Sequence, residues 1–323
     1  MNSEKGPAPF FEAKRGLAPF QKTAVFLIGF GGPENSGEVR PFLESVLHGV
    51  RIPQERFDSV LSHYKQIGNV SPYNAIACAQ RDALEKWFKE KGVNLPVFVG
   101  FRHALPSFRD VFLELKQNRF EKVIGFVLSP LRSYASYEKY IERVEEAKRE
   151  IAADIRVKYV EPFSKNAFFL EAQSERVEEA FQEVPAEERE KAFFLFTAHS
   201  IPAEMSAQSG YAGQFAEASS AVARRLGLKF WDIAYQSRSG DPRQPWLEPD
   251  VKEAVRKINA KMFKHVVVVP IGFLSDNAEV LYDLDVELAQ EVRDEGLHYF
   301  RASTVMDHPR FIQMMGEQIL AIF

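Results

Sequence analysis

The sequence contains very little cysteine: Cys78 is the single thiol among 323 residues. One thiol excludes an internal disulfide, a cysteine-rich metal site and an iron–sulfur cluster held within this chain. Apolar stretches of membrane-spanning length are absent, so no integral membrane span is predicted. Residues 1–21 carry scattered charges and lack the apolar core of a signal peptide. Together with the cysteine usage, this predicts a cytoplasmic location.

A strong charge of one sign is also missing. Lysine and arginine number 41 against 45 aspartate and glutamate residues, the formal net charge is −4, and no basic run occurs. Proteins whose main partner is nucleic acid or an anionic membrane surface usually carry a basic patch. We therefore predict no nucleic-acid partner.

What the chain does have is a regular alternation of apolar runs with helical patterns. Strands that alternate with helices indicate parallel pairing, and 46% hydrophobic residues suffice for two sizeable cores. The sequence predicts an α/β protein with two similar Rossmann-like domains, at 22–161 and 162–308. Each domain is predicted to be a four-stranded parallel sheet flanked by helices. A final helix at 309–323 is predicted to dock on either domain. The predicted strands lie at 24–30, 96–101, 122–128 and 155–160, and at 192–198, 229–236, 264–270 and 296–301.

The loops after these strands are where a site is expected, because ligands of open α/β sheets bind beyond the carboxyl ends of the strands. Two of the seven histidines, His103 and His199, fall in or beside such loops. A lone histidine there is more often a structural hydrogen-bonding residue than a ligand, so both interpretations stay open.

Three carboxylates follow the seventh predicted strand at helical spacing: Glu279, Asp283 and Glu287. Residues at i, i+4 and i+8 share one helical face, where like charges repel. Within the preceding pair Ser275 and Asp276, the aspartate is suited to cap the helix with Glu279 as its capping-box partner. Capping does not explain the other two carboxylates. One histidine with one or two carboxylates at the same sheet edge would suit a labile divalent metal such as Fe²⁺ and would be poor for structural zinc.

Several of these segments resemble the ferrochelatases, in the order in which that family has them. The segments are Gly31-Gly32-Pro33-Glu34, Thr197-Ala198-His199-Ser200-Ile201-Pro202, Tyr235-Gln236-Ser237-Arg238, and Gly272-Phe273-Leu274-Ser275-Asp276 with Glu279-Val280-Leu281-Tyr282-Asp283. The resemblance implies a porphyrin cleft between two chelatase-type domains and insertion of Fe²⁺ into the porphyrin, the last step of haem synthesis. Iron and porphyrin would be substrates, with no permanently bound cofactor.

The same resemblance implies roles for individual residues. His199 and Glu279 would bind the metal and remove the two pyrrole protons, which Asp283 and Glu287 would carry away. Either Arg102 or Arg132 would meet a porphyrin propionate through charge-assisted hydrogen bonds. The positions that would contact the macrocycle are Phe30, Ser71, His103 and Tyr140.

Two departures from the family pattern qualify these expectations. Asn277 stands where the family usually has histidine, and asparagine is not a base, so a weakened homologue that only binds porphyrin or haem is an alternative. Phe30 replaces the tyrosine of the coproporphyrin-type branch, which favours protoporphyrin IX as substrate. A two-lobed solute-binding protein also fits the α/β pattern alone, although no export signal is present. An apolar stretch at 42–50 would allow transient contact with a membrane or the preceding enzyme.

Overall fold

The computed structural model describes residues 22–47, 54–239 and 243–323. In the first half, four parallel strands form a sheet of order β2-β1-β3-β4. Its strands are β1 (Thr23–Gly29), β2 (Val97–Phe101), β3 (Lys122–Val127) and β4 (Arg156–Tyr159), and its helices are α1 (Val39–Val46), α2 (Gln54–Gln66), α3 (Tyr73–Glu90), α4 (Phe108–Gln117) and α5 (Lys139–Glu150), the last preceded by a π-helical turn (Tyr134–Glu138).

The second half repeats this topology with a parallel sheet of order β6-β5-β7-β8. The alternating α/β prediction is therefore confirmed. The strands are β5 (Ala192–His199), β6 (Trp231–Gln236), β7 (His265–Val269) and β8 (His298–Arg301); the helices are α6 (Ala167–Gln182), α7 (Ala203–Ser209), α8 (Tyr211–Leu226), α9 (Val251–Arg256), a π-helical segment (Val280–Leu288), α10 (Ala289–Asp294) and α11 (Pro309–Ile322), with a 3₁₀ turn (Ala186–Lys191) before β5.

The central strands are buried on both faces, which explains their unbroken apolar sequences. Every residue of 24–28 in β1 and of 266–269 in β7 is fully buried. Helices α4 and α5 cover one face of the first sheet, and α9, α10 and the π-helical segment cover one face of the second.

The largest core is shared by the two halves, whereas the sequence predicted two separate cores. It joins Leu27 and Phe126 of the first sheet to Phe196 of the second and to Met314 of α11. The reason is that α11 contacts both α3 and α6. The last helix thus docks on both halves, and the domain boundaries at 161/162 and 308/309 stay a prediction.

A small apolar cluster links the two halves at the carboxyl ends of the sheets. Phe42, Leu43 and Tyr64 of α1 and α2 form its buried part, against which Phe30 and Ala278 pack from opposite halves. Phe42 and Leu43 of the stretch 42–50 are therefore turned inward, and residues 48–50 lie outside the described residues. None of the described helices combines the length and the hydrophobicity that a membrane span requires.

Candidate active site

His199 is the last residue of β5, the strand that pairs with β6 and β7 in the second sheet. The strand carries the imidazole to the carboxyl edge, where about a third of the side chain is exposed. Its Nδ1 lies 2.5 Å from the Ser200 carbonyl oxygen. Because a carbonyl only accepts, Nδ1 carries the proton and donates it there. Nε2 is left to face the neighbouring carboxylate.

That carboxylate is Glu279, whose Oε1 lies 3.6 Å from the Nε2 of His199. Burial by itself would lower the pKa of His199, but the nearby carboxylate outweighs burial and raises it to about 9. For Glu279, burial opposes ionisation and the histidine outweighs it, so the pKa of the carboxyl is lowered. The two side chains therefore form an imidazolium–carboxylate pair at neutral pH.

Asp283 lies next along the acidic row and has the opposite electrostatic behaviour. Burial first, and then the Glu279 carboxylate, raise the pKa of Asp283 to about 7. The Ser237 hydroxyl donates a hydrogen bond to Asp283 Oδ2. Ser237 follows β6 and has φ of 61°, a left-handed conformation uncommon outside glycine. Asp283 is thus close to half-protonated near neutral pH.

Glu287 ends the row in a more open setting. Lys252 Nζ donates to Glu287 Oε2 at 3.0 Å, and the Tyr282 hydroxyl donates to Oε1 at 3.4 Å. The Tyr282 ring stacks on His63 of α2, with centroids 3.8 Å apart. The three predicted carboxylates thus run from the histidine to a partly exposed lysine.

The helix that carries this row differs from the expected α-helix, because residues Val280–Leu288 are π-helical. Such segments have i→i+5 hydrogen bonds and are frequent at functional sites. Asn277 caps its first turn: Asn277 Oδ1 accepts from the Val280 backbone N–H at 2.8 Å. The amide at the family's histidine position is therefore a helix cap.

The predicted capping box of Asp276 with Glu279 is wrong. Asp276 Oδ2 instead accepts from Arg301 Nη2 at 3.0 Å, and Oδ1 accepts from the Thr304 hydroxyl at 2.9 Å. Arg301 lies at the end of β8. The Asp276 carboxylate pairs with this guanidinium and does not cap the helix, because a charge-assisted hydrogen bond is stronger than one from a neutral backbone N–H. Ser275 is buried beside it. The contacts of Asp276 with Arg301 and Thr304 hold the loop that carries Glu279.

The opposite wall of the cleft belongs to the first half and is aromatic. The rings of Phe30 and His103 lie 4.8 Å apart, and Phe42 packs edge-on to Phe30 at 6.0 Å. Ser45 Oγ hydrogen-bonds to His103 Nδ1 at 2.9 Å. Burial, and then Arg102 and Arg143, lower the pKa of His103 to about 4. This histidine is neutral where His199 is charged.

Tyr140 and Ser71 are both buried on this side. Burial raises the pKa of Tyr140 well above its usual value, and the Glu279 carboxylate acts in the same direction from across the cleft. Ser71 packs on the glycine turn, where a Cβ added to Gly32 would lie 2.6 Å from the Ser71 Cβ. The structure brings Phe30, His103 and Tyr140 to one wall, with Ser71 supporting the turn behind it.

Comparison with known proteins identifies the family. The family model described as Ferrochelatase matches residues 22–321. The chain belongs to the ferrochelatase family. It is 39% identical over 302 residues to the ferrochelatase of Rhodopirellula baltica, covering 93% of this chain and 85% of that protein. It is also 37% identical over 295 residues to the coproporphyrin III ferrochelatase of Mycobacterium ulcerans, covering 90% and 84%.

Solved structures are similar in fold. The sirohydrochlorin chelatase SirB of Bacillus subtilis subspecies spizizenii, in complex with cobalt, matches 93% of this chain and 94% of its own with a TM-score of 0.54 at 11% identity. SirB from Bacillus subtilis with Fe³⁺ matches 93% and 95% with a TM-score of 0.56 at 13% identity. At these identities the likeness supports the chelatase fold alone. Family membership makes the chain a metal chelatase of haem biosynthesis.

Two buried tyrosines close to the pair were missed from the sequence. The Tyr211 hydroxyl donates to the His199 carbonyl oxygen at 3.0 Å. For Tyr64, burial and then the Glu279 carboxylate raise the pKa of the phenol. Aromatic residues on helices are usually core residues, so nothing in the local sequence of Tyr211 distinguished it. Tyr64 begins the segment Tyr64-Lys65-Gln66-Ile67-Gly68, which also resembles the family. Ser237 had a signal, because it follows a strand within a family-like segment.

Two side chains at this ferrochelatase-family site could hold a metal ion, His199 and Glu279. Among residues 22–47, 54–239 and 243–323, no three His, Cys, Asp or Glu side chains are grouped to hold one ion. The two side chains together would supply few ligands and would leave coordination positions open. Such a site suits an ion that is passed on rather than retained.

Proposed function

We propose that this chain inserts Fe²⁺ into a porphyrin, with protoporphyrin IX as the substrate and protohaem as the product. The single observation that carries this proposal is the His199–Glu279 pair, 3.6 Å apart at the carboxyl edge of the second sheet. The aromatic wall around Phe30 supplies a surface suited to the face of a macrocycle. Iron is a substrate in this reaction, so no permanently bound cofactor is needed.

The reaction replaces two pyrrole N–H protons of the porphyrin by one Fe²⁺ ion. Glu279 is the base available at neutral pH, because its carboxyl pKa is lowered whereas His199 is protonated. When the cation arrives, the Nε2 proton of His199 passes along the carboxylate row to solvent, which frees Nε2 as a metal ligand. Glu279 accepts the two pyrrole protons one after the other, and it passes the first to Asp283 before it accepts the second.

Asp283 receives the proton next. Its pKa of about 7 lies above that of Glu279, so transfer from Glu279 to Asp283 is favourable. Near neutral pH Asp283 also releases protons readily. Glu287, in its partly exposed setting beside Lys252, completes the path toward solvent. Asn277 takes no part in this path because its side chain is held in the helix cap.

Coproporphyrin III is the second candidate substrate. Relatives that are 37% and 36% identical are named coproporphyrin III ferrochelatases. Phe30 favours protoporphyrin because it offers no hydroxyl to the iron. A weakened homologue that binds porphyrin without turnover is the remaining alternative. We further propose a cytoplasmic location, given the single cysteine.

An anaerobic assay tests these alternatives together. Fe²⁺ or Zn²⁺ is offered with protoporphyrin IX and with coproporphyrin III in parallel, and the absorbance of the macrocycle is followed. We expect metal insertion with a higher kcat/KM for protoporphyrin. A higher kcat/KM for coproporphyrin would reassign the substrate. Porphyrin binding without insertion of either metal would support the binding-only alternative.

A further inference from the structure

Arg301, the last residue of β8, holds two carboxylates at once. Its Nε and Nη2 atoms donate to the two oxygens of Asp285 at 2.7 and 3.0 Å. Its Nη1 and Nη2 atoms donate to the two oxygens of Asp276 at 3.3 and 3.0 Å, and Nη1 also donates to the Ala302 carbonyl oxygen at 3.1 Å. A guanidinium has five N–H donors, so each of them has an acceptor here. Arg301, Asp276 and Asp285 together form a clamp.

The two aspartates of the clamp lie on either side of residues that carry the proposed chemistry. Asp276 precedes the π-helical segment Val280–Leu288, and Asp285 lies within it. Glu279 and Asp283 come between them. Asp285 is two residues from Asp283, and residues two apart on a helix do not share a face. The clamp therefore holds the segment from the side that faces away from the acidic row.

Further donors on and after β8 hold the same two carboxylates. The Tyr299 hydroxyl donates to Asp285 Oδ1 at 3.0 Å. The Thr304 backbone N–H donates to Asp276 Oδ1 at 3.3 Å. The side chains of Arg301 and Asp276 are 13% and 11% exposed, so water competes little for these hydrogen bonds. Because β8 pairs with β7, and β7 with β5, the clamp ties the π-helical segment to the second sheet.

The position of this segment decides whether the His199–Glu279 pair can form. Glu279 Oε1 lies 3.6 Å from His199 Nε2, and the two residues belong to different elements, since Glu279 begins the π-helical segment and His199 ends β5. π-Helices are rare and mostly single turns, whereas this one has nine residues. Such a segment is expected to depend on contacts outside itself, and the clamp supplies them.

We propose that Arg301 is a positioning residue for metal insertion, a role that rests on the proposed function. By holding both aspartates together, Arg301 sets the place of Glu279 opposite His199. It acts through the π-helical segment and not on the reacting atoms. Misplacement of a catalytic group by about 1 Å can cost about 100-fold in rate, so loosening the clamp should slow the insertion step.

Steady-state insertion of Zn²⁺ into protoporphyrin IX or coproporphyrin III, whichever the wild type prefers, tests this role, with porphyrin affinity measured separately by fluorescence. The variants are Arg301→Gln, Arg301→Lys and Asp285→Asn. We expect Arg301→Gln to lower kcat about 10–100-fold and to change porphyrin affinity by less than about twofold. Arg301→Lys should recover part of kcat, because lysine keeps the charge but lacks the planar fork that reaches both carboxylates. Asp285→Asn should also lower kcat.

Two further proteins separate positioning from general stability. Arg256→Lys is the matched control, since Arg256 donates from Nε and Nη2 to the two oxygens of Glu291 at 2.6 and 3.0 Å, on the helix that follows the π-helical segment. This control should keep the wild-type kcat. In the double variant Arg301→Lys with Asp285→Asn, the loss of kcat should be smaller than the product of the two single losses, because both changes open the same clamp.

Wild-type kcat in Arg301→Gln would overturn the proposal. Equal losses of kcat and porphyrin affinity would also overturn it, since Arg301 would then support the fold of the cleft as a whole. An equal loss of kcat in Arg256→Lys, or a fully multiplicative loss in the double variant, would be contrary too. If Arg301→Gln does not fold, Arg301→Lys and Asp285→Asn decide in the same way. Failure of the wild type to insert Zn²⁺ or Fe²⁺ would instead reject the proposed function itself.

Discussion

The two halves have the same topology, with strand orders β2-β1-β3-β4 and β6-β5-β7-β8. The residues at the carboxyl ends of their central strands nevertheless differ, because one end is charged and the other is aromatic. Strand β5 ends at His199, which is charged and paired with Glu279. Strand β1 ends at Gly29 and is followed by Phe30, which packs on the neutral His103. In the proposed mechanism, one wall of the cleft moves protons and the other holds the face of the macrocycle. A repeated fold does not imply repeated chemistry.

The largest effect is expected from removing the base on the charged wall. Glu279→Gln keeps the shape of the side chain but neither accepts a pyrrole proton nor holds His199 as imidazolium. We expect a loss of about 10²–10⁴-fold in the insertion rate, measured anaerobically, with the melting temperature close to that of the wild type. Glu291→Gln is the matched control, since Glu291 pairs with Arg256 at 2.6 Å on α10. Near-normal turnover in Glu279→Gln would remove this residue from the mechanism.

A comparable loss of the insertion rate is expected from His199→Ala, because this variant lacks a metal ligand and not the base. The variant retains the aromatic wall, so porphyrin affinity should change by less than about threefold while metal insertion is lost. Fluorescence titration and the insertion assay measure the two separately. Should the variant fail to fold, His199 would be a structural residue whose hydrogen bond to the Ser200 carbonyl holds the strand end.

A smaller and pH-dependent effect is expected for Asp283→Asn. The pKa of Asp283 is raised from 3.8 to about 7, so the folded state takes up a proton between these values. The corresponding stability is present below about pH 4 and is lost as the pH rises through about 7. Asp283→Asn should therefore raise the melting temperature above pH 7 and leave it nearly unchanged at about pH 4.

The same substitution should also change the pH–rate profile, because Asp283 accepts protons only when ionised. The wild-type rate should rise with pH through about 7, and this limb should disappear in Asp283→Asn. Profiles that superimpose would mean that the acidic row does not carry the protons.

The smallest effect is expected at the helix cap. Asn277→His restores the family's usual residue but removes the amide that accepts from Val280 at 2.8 Å. Losing a cap of this kind costs about 1 kcal/mol of the free energy of unfolding. Chemical denaturation measures this, with Asn277→Ser as the control that keeps a capping oxygen. Equal stability of all three proteins would mean that the cap contributes nothing.

Much of the fold was predictable because the central strands are buried on both faces. An apolar run such as 266–269 in β7 has no other common explanation once helical patterns flank it. The place of His199 followed from the rule that ligands bind beyond strand ends. Its partner Glu279 followed from topology, but their 3.6 Å separation did not.

The remaining features depend on contacts between residues far apart in sequence. Asp276 accepts a hydrogen bond from Arg301, which lies 25 residues further along the chain. The sequence near Asp276 does not indicate this contact. The neutral state of His103 depends on burial and on Arg143, which comes from α5. Local patterns define which residues reach the cleft, whereas tertiary packing defines their charge.

The most direct test of the contrast between the two walls is a histidine titration by NMR, in the wild-type protein without metal. We expect the imidazole of His199 to titrate near 9 and that of His103 near 4. In Glu279→Gln the His199 pKa should fall while that of His103 stays unchanged. A His199 that titrates at or below the ordinary histidine pKa of about 6.5 would contradict the charged pair on which the proposed mechanism depends.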